Sequence, residues 1–157
     1  MRDPLALAKA LALLVPAGLL AGAYYFQYGI GLAPCEMCYW QRWAHMAGLG
    51  FALAALLARR LPDRGRSFVW LAALGIAASG AIGVYHAGVE LDYFEGFTQC
   101  TASGATSLAE IMAAPVIRCD EIQWSLFGIS MAGWNAILSL SSALVILWLS
   151  LKRPRGA

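Results

Sequence analysis

Four cysteines, Cys35, Cys38, Cys100 and Cys119, are the residues of this chain best equipped for chemistry. Cys35 and Cys38 form a Cys-x-x-Cys within Pro34-Cys35-Glu36-Met37-Cys38, whereas 18 residues separate Cys100 from Cys119. Proline suits the opening of a helix, so the first pair is expected in or just before a first helical turn. The unsatisfied amides and the dipole at such an end stabilise a thiolate, the reactive form of cysteine. A Cys-x-x-Cys is also half of many zinc sites, and four structural cysteines allow three pairings. Spacing alone therefore leaves thiol exchange, metal binding and crosslinking open.

The residues that follow the first pair narrow the choice. Arg42 comes four residues after Cys38 and lies on the same helical face one turn on. Beside Cys38 it favours the thiolate and offers hydrogen bonds to a polar ligand; as a bland alternative it is an anchor that snorkels to headgroups. His45 continues the stripe and is expected to be a hydrogen-bonded packing residue. His86 closes a later apolar run, and a neutral imidazole there can donate to a carbonyl oxygen.

The elements that must position these residues are membrane spans. The chain has 157 residues, 61% of them apolar and 13% charged, well beyond the share of a soluble domain. A hydrocarbon core of roughly 30 Å needs about 20 mostly apolar residues per helix. That length occurs four times, at Leu5 to Phe26, Tyr39 to Ala58, Phe68 to His86 and Phe127 to Leu151. The runs are continuous and rich in Ala, Leu and Gly, without the alternation of barrel strands. The expectation is an all-α membrane protein, a single domain over 1–157 built as a four-helix transmembrane bundle. Gly75, Gly80 and Gly83 in the third span predict close helix packing.

Charge orients the bundle. Arg2 and Lys9 near the N-terminus, the loop with Arg59, Arg60, Arg64 and Arg66, and the C-terminal Lys152, Arg153 and Arg155 belong in the cytoplasm. The other two connections are poor in positive charge: Gln27 to Cys38 contains only Glu36, and Ala87 to Gln123 sets Arg118 against six carboxylates. Both face outward, and both carry cysteines. Arg2, the first apolar run and Ala21-Gly22-Ala23 resemble a secretory signal, but the run is long for one and continues into Tyr24, Tyr25 and Phe26, aromatics that suit an interfacial anchor. The outward side of a bacterial inner membrane is the periplasm, where disulfides form and persist. Within the second outward loop, Ser107-Leu108-Ala109-Glu110 matches a capping box and Pro115 a stop, predicting a short amphipathic helix on the membrane surface.

Pro34-Cys35-x-x-Cys38-x-x-x-Arg42 opens the second span, and Cys119-Asp120-Glu121-x-Gln123-Trp124-x-x-x-Gly128 leads into the fourth. With the two loop cysteines, these motifs resemble the DsbB family of bacterial inner-membrane disulfide bond formation proteins over nearly the whole chain. The resemblance implies a thiol:quinone oxidoreductase that reoxidises a periplasmic thioredoxin-fold protein of the DsbA kind, with ubiquinone or menaquinone as acceptor. By position it implies that Cys100 takes the mixed disulfide with the partner and that Cys119 is its loop mate. Cys119 then exchanges with Cys35, leaving Cys38 as the thiolate facing the quinone. Arg42, His86 and Met131 would line the quinone neighbourhood. The Cys100 to Cys119 interval is short for the family, and His45 matches none of its motifs.

Three rivals make distinct demands. A zinc site needs all four thiolates to converge, although the second pair lacks tight spacing. A scaffold with two structural disulfides would tolerate loss of Cys38. A thiol oxidoreductase resembling the vitamin K epoxide reductase family would place its loop cysteines before the Cys-x-x-Cys, whereas here Cys35 and Cys38 come first.

Overall fold

The first helix begins at an aspartate followed by a proline, a strong start signal. In the computed structural model, which describes residues 3–96 and 118–152, the Asp3 carboxylate accepts from the Leu5 amide at 3.1 Å. Helix α1 runs Pro4–Tyr24 and continues into a π-helical turn, Tyr25–Ile30. Gly31 closes that turn at φ 86°, a left-handed conformation that glycine adopts without strain. Helix α2 covers Glu36–Leu57, α3 covers Arg66–Glu90 and α4 covers Met131–Leu151.

The four helices close a ring: α1 packs on α2 and α4, and α3 packs on α2 and α4. Their shared core is made largely of small side chains, Ala8, Ala12, Ala52, Ala55, Ala72, Ala73 and Ala143, with Val69, Ile76 and Ile146 filling the spaces. Small residues let backbones approach, which matters where lipid removes the hydrophobic drive for helices to associate. Pro4–Ile30, Arg66–Glu90 and Met131–Leu151 are long and apolar enough to cross a membrane. Helix α2 has similar length but buries Gln41, Arg42 and His45 inside the bundle.

The glycine stripe of α3 sits where backbone meets backbone. A Cβ on Gly75 would lie 2.9 Å from the Gly48 nitrogen and 3.1 Å from the Ala44 carbonyl oxygen, and one on Gly83 would lie 3.0 Å from the Ala132 carbonyl oxygen. Neither neighbour can rotate away. Gly75→Val is therefore expected to destabilise the bundle by about 1–3 kcal/mol, as overpacked cores do. Gly50→Ala, whose added Cβ meets nothing within 4 Å, should be neutral. Thermal unfolding in detergent, read by helical circular dichroism, separates the two.

One end of the bundle gathers the basic loop and the N-terminus, since Arg64 pairs with Asp3 there. Near it the Lys9 ammonium donates to the Ala55 carbonyl at 2.7 Å. That satisfies a backbone acceptor in the last turn of α2 and opposes the negative end of the helix dipole. A buried lysine so placed needs no acidic partner. The described cysteines lie at the opposite end.

Two element boundaries differ from the sequence expectation. Helix α3 runs past His86 to Glu90, carrying one more turn, with Val89 and Glu90, into the cysteine region. The fourth helix starts at Met131 instead of Phe127, because Ser125–Leu126 (β1) and Ile129–Ser130 (β2) form an antiparallel hairpin. Its turn residues Phe127 and Gly128 both have positive φ, 53° and 76°, the geometry of a tight two-residue turn. Ser130 then caps α4 by accepting from the Gly133 amide at 3.1 Å. The expected surface helix near Ser107 to Pro115 and Cys100 itself lie outside the described residues.

Candidate active site

The π-helical turn and Gly31 return the chain so that Pro34 and Cys35 lead into α2 at the end of the bundle opposite the basic loop. Cys35 is the N-cap residue of α2: its sulfur accepts from the Cys38 amide at 3.4 Å. The expected placement of the Cys-x-x-Cys at a helix start therefore holds in detail, with Cys35 on the cap and Cys38 in the first turn. Their sulfurs lie 3.0 Å apart. Cys35 is only 2% exposed, whereas Cys38 is partly accessible.

Cys119 comes to the same point from the other side of the bundle. Its sulfur, the Cys35 sulfur and a His86 ring nitrogen all lie within 4.8 Å of one another. Val89 and Met37 are buried beneath them, and Trp40 and Tyr85 pack at the margin. The segment that leads from Cys119 to the hairpin is fixed to the π-helical turn by the rings of Phe26 and Trp124, whose centroids are 4.8 Å apart. The loop cysteine is thus held against the first pair by packing at the C-terminal end of α3 and at the turn that follows α1.

Arg42 is buried one turn below Cys38. Its Nη1 donates to Gln27 Oε1 and its Nη2 donates to the Ala23 carbonyl at 3.2 Å. The guanidinium also lies over the rings of Tyr24 and Tyr39, 5.2 and 5.6 Å from their centroids. Both hydrogen-bond acceptors come from the end of α1, where the helix shifts to π geometry. Such shifts displace carbonyls from the regular ladder and recur at functional sites. The sequence expectation aimed Arg42 at Cys38; the structure ties its donors to α1 and leaves its charge near the thiol.

His86 receives a hydrogen bond at Nδ1 from the Gln41 amide at 2.9 Å, and its Nε2 lies 3.6 Å from Cys35 Sγ and 3.8 Å from Glu90 Oε1. The other oxygen of Glu90, Oε2, is buried without a hydrogen-bond partner among the described residues. Gln27, Gln41, Glu90 and Asn135 are site residues that the sequence reading did not single out. A signal existed for three of them. Gln41 adjoins Arg42, Glu90 follows His86 by one turn, and Asn135 is a lone amide in an apolar span, where polar side chains usually bond between helices.

These side chains surround a cavity of about 420 Å³ that reaches from Cys35 and Cys38 down to Gly18 and Leu138. Its wall is mostly apolar, with Gln41, Arg42, His45, His86, Glu90 and Asn135 as polar points, Arg118, Glu121 and Gln123 from the segment around Cys119, and Met131 at the head of α4. A site of this size and character suits a small apolar ring bearing a few polar atoms.

A family model described as "Disulfide bond formation protein DsbB" matches residues 6–149. This chain belongs to the DsbB family. Disulfide bond formation protein B of Aromatoleum aromaticum is 32% identical over 153 residues, covering 88% of this chain and 89% of that protein. The protein of the same name from Marinobacter nauticus is 33% identical over 152 residues, covering 88% and 86%. That of Pasteurella multocida is 35% identical over 128 residues, covering 74% and 68%. No solved structure matches the chain. As a member of the DsbB family, the chain is a membrane protein of disulfide bond formation, and disulfide oxidoreductase chemistry accompanies that membership.

Proposed function

We propose that this chain is a thiol:quinone oxidoreductase of a bacterial inner membrane that reoxidises a periplasmic DsbA-like dithiol protein. Its four helices all span, with both termini cytoplasmic and the cysteine loops periplasmic. The single observation that supports this most is the convergence of the Cys119 and Cys35 sulfurs within 4.8 Å, at the mouth of a cavity that also holds Cys38 and Arg42.

Disulfide exchange needs a thiolate in line with a sulfur–sulfur bond, and no metal. Cys100 accepts the partner's attacking thiolate, and the Cys100–Cys119 bond breaks with its electron pair on Cys119. The Cys119 thiolate attacks Cys35, forming the Cys35–Cys119 bond and releasing Cys38 as thiolate. Cys38 is the partly accessible member of its pair and carries the Arg42 charge below it, so it is the sulfur that faces the cavity ligand. Once the partner leaves oxidised, the Cys100 thiolate recovers Cys119 and Cys35 departs with its electron pair.

The cavity fits a quinone headgroup by volume, by apolar lining and by the buried guanidinium at its polar margin. Bound there, a quinone supplies the two-electron sink that thiols alone lack. Arg42 would hold a polar oxygen of such a group, Met131 and Leu138 would pack against its ring, and the surrounding helices would exclude water. His86 lies nearer the cysteines than the centre of this space.

Cys35, Cys119 and His86 also offer three zinc-type ligands, which gives the metal reading one observation in its favour. Against it, the Cys35 and Cys38 sulfurs at 3.0 Å are closer than the roughly 3.8 Å between two sulfurs of a tetrahedral zinc site with Zn–S near 2.3 Å. The deciding experiment is oxidation of a reduced DsbA-like protein by the purified chain, with and without added quinone. Turnover that requires quinone supports the relay. One tightly held zinc per chain with no turnover overturns it.

A further inference from the structure

A chain of buried amides links the centre of the bundle to the cysteines. Asn135 on α4 donates through Nδ2 to the Ser79 carbonyl at 3.1 Å and to Gln41 Oε1 at 2.7 Å. A backbone carbonyl only accepts, so the Asn135 amide has one possible orientation, with Oδ1 turned to His45 Nε2 at 2.9 Å and to the Ser139 hydroxyl at 3.0 Å. Gln41 is fixed in the same way. Its Nε2 donates to the Met37 carbonyl at 3.2 Å and therefore also donates to His86 Nδ1 at 2.9 Å.

An imidazole nitrogen that accepts an N–H carries no proton. His86 must then hold its proton on Nε2, and every neighbour of that nitrogen agrees. Cys35 Sγ at 3.6 Å and Glu90 Oε1 at 3.8 Å both face it, and the Cys35 and Cys119 sulfurs lie within 4.8 Å of each other and of a ring nitrogen of His86. The hydrogen-bond sense of the whole chain is set by two backbone carbonyls, on α2 and α3, that cannot reverse.

We propose that Asn135 and Gln41 are positioning residues that hold His86 with its proton on Nε2, so that this N–H keeps Cys119 docked at the Cys35 sulfur it exchanges with. The proposal rests on the relay reading above for the exchange between Cys119 and Cys35. It gives His86 a task at the cysteines in place of the quinone contact that the family resemblance suggests. When Cys100 recovers Cys119, the Cys119–Cys35 bond breaks and its electron pair leaves on Cys35. The same N–H then faces the departing thiolate, and hydrogen bonds to charged groups are the stronger kind. His45 anchors the far end of the chain at the Asn135 oxygen.

The test uses the full chain in lipid nanodiscs with 15N-labelled histidine. Wild-type His86 is expected as the Nε2–H form, with Nδ1 showing a hydrogen-bonded imine signal. Gln41→Met and Asn135→Leu should each move the Nδ1 signal toward that of an unbonded or protonated nitrogen. Each should also slow formation of the Cys35–Cys119 bond about tenfold, the scale of one hydrogen bond to a charged group. That bond is followed after reduction of the loop by a small dithiol, so neither quinone nor protein partner enters the measurement. Failure of the quinone reading would leave these results intact, and failure of these results would leave quinone turnover intact.

In a His86→Leu background, Asn135→Leu should slow exchange no further, because a residue acting through His86 has nothing left to act on. Gln41→Met keeps the length of its side chain and carries the test if Asn135→Leu does not fold. Three results would overturn the proposal: a wild-type His86 protonated on Nδ1, an unaltered His86 signal in both variants, or losses from Asn135→Leu and His86→Leu that multiply.

Discussion

Cys35→Ser should oxidise one equivalent of reduced partner and then stop, with steady-state turnover down by about three orders of magnitude or more, as when a covalent-catalysis residue is removed. The argument starts from access. Cys35 is 2% exposed, and the atoms that touch its sulfur are Cys38, His86 and Cys119. A folded partner protein cannot enter so closed a site, so in the proposed relay electrons reach Cys35 through Cys119. With Cys35 replaced, the Cys100–Cys119 pair still accepts two electrons from one partner molecule, but those electrons have no onward route. The substitution is mild for the fold: serine is among the preferred N-cap residues, so its hydroxyl takes over the hydrogen bond from the Cys38 amide. Stoichiometric partner oxidation followed by arrest, read by thiol alkylation and mass, is the expected result. Continued turnover would mean that Cys119 passes electrons by another path.

The same residues show how far the sequence carries. Length and apolarity located four helices, because a span about 20 residues long with few charges leaves no other reading. Pro34 before a Cys-x-x-Cys located the helix start to within a turn, and the structure puts Cys35 on the cap, where its sulfur accepts an amide hydrogen. The hairpin at Ser125 to Ser130 was hidden: Phe127 in a left-handed turn runs against residue preference, and only Gly128 hinted at it. The amide chain was hidden for another reason. Gln41, Ser79 and Asn135 lie 38 to 94 positions apart in sequence, and only the packed bundle makes them neighbours. Arg42 was legible as a site residue from its place one turn after Cys38, yet its partners Gln27 and Ala23 were not, since nothing local announces the π turn that presents them.

Arg42→Ala should lower the rate of quinone reduction by about 10- to 100-fold while leaving the rate of mixed-disulfide formation with the partner unchanged to within about twofold, the range expected when one charge-assisted contact is lost. Arg42 is 8% exposed and lies among Gln27, the Ala23 carbonyl and two tyrosine rings, so it cannot snorkel to headgroups as an anchor would. Its fork binds the end of α1, and in the proposed function its charge would support the Cys38 thiolate and a ligand oxygen in the cavity. Alanine removes all of these and leaves the Gln27 and Ala23 acceptors bare, which costs about 1–3 kcal/mol each where water cannot reach them. Arg42→Lys keeps the charge without the fork, since an ammonium is a point donor. If charge at Cys38 is the main effect, lysine should recover most of the lost rate; if the fork that pins α1 is, lysine should recover little. Rapid-mixing measurements of the two half-reactions separate these cases. Equal losses in both half-reactions would show that Arg42 holds the bundle together and does not act on the quinone.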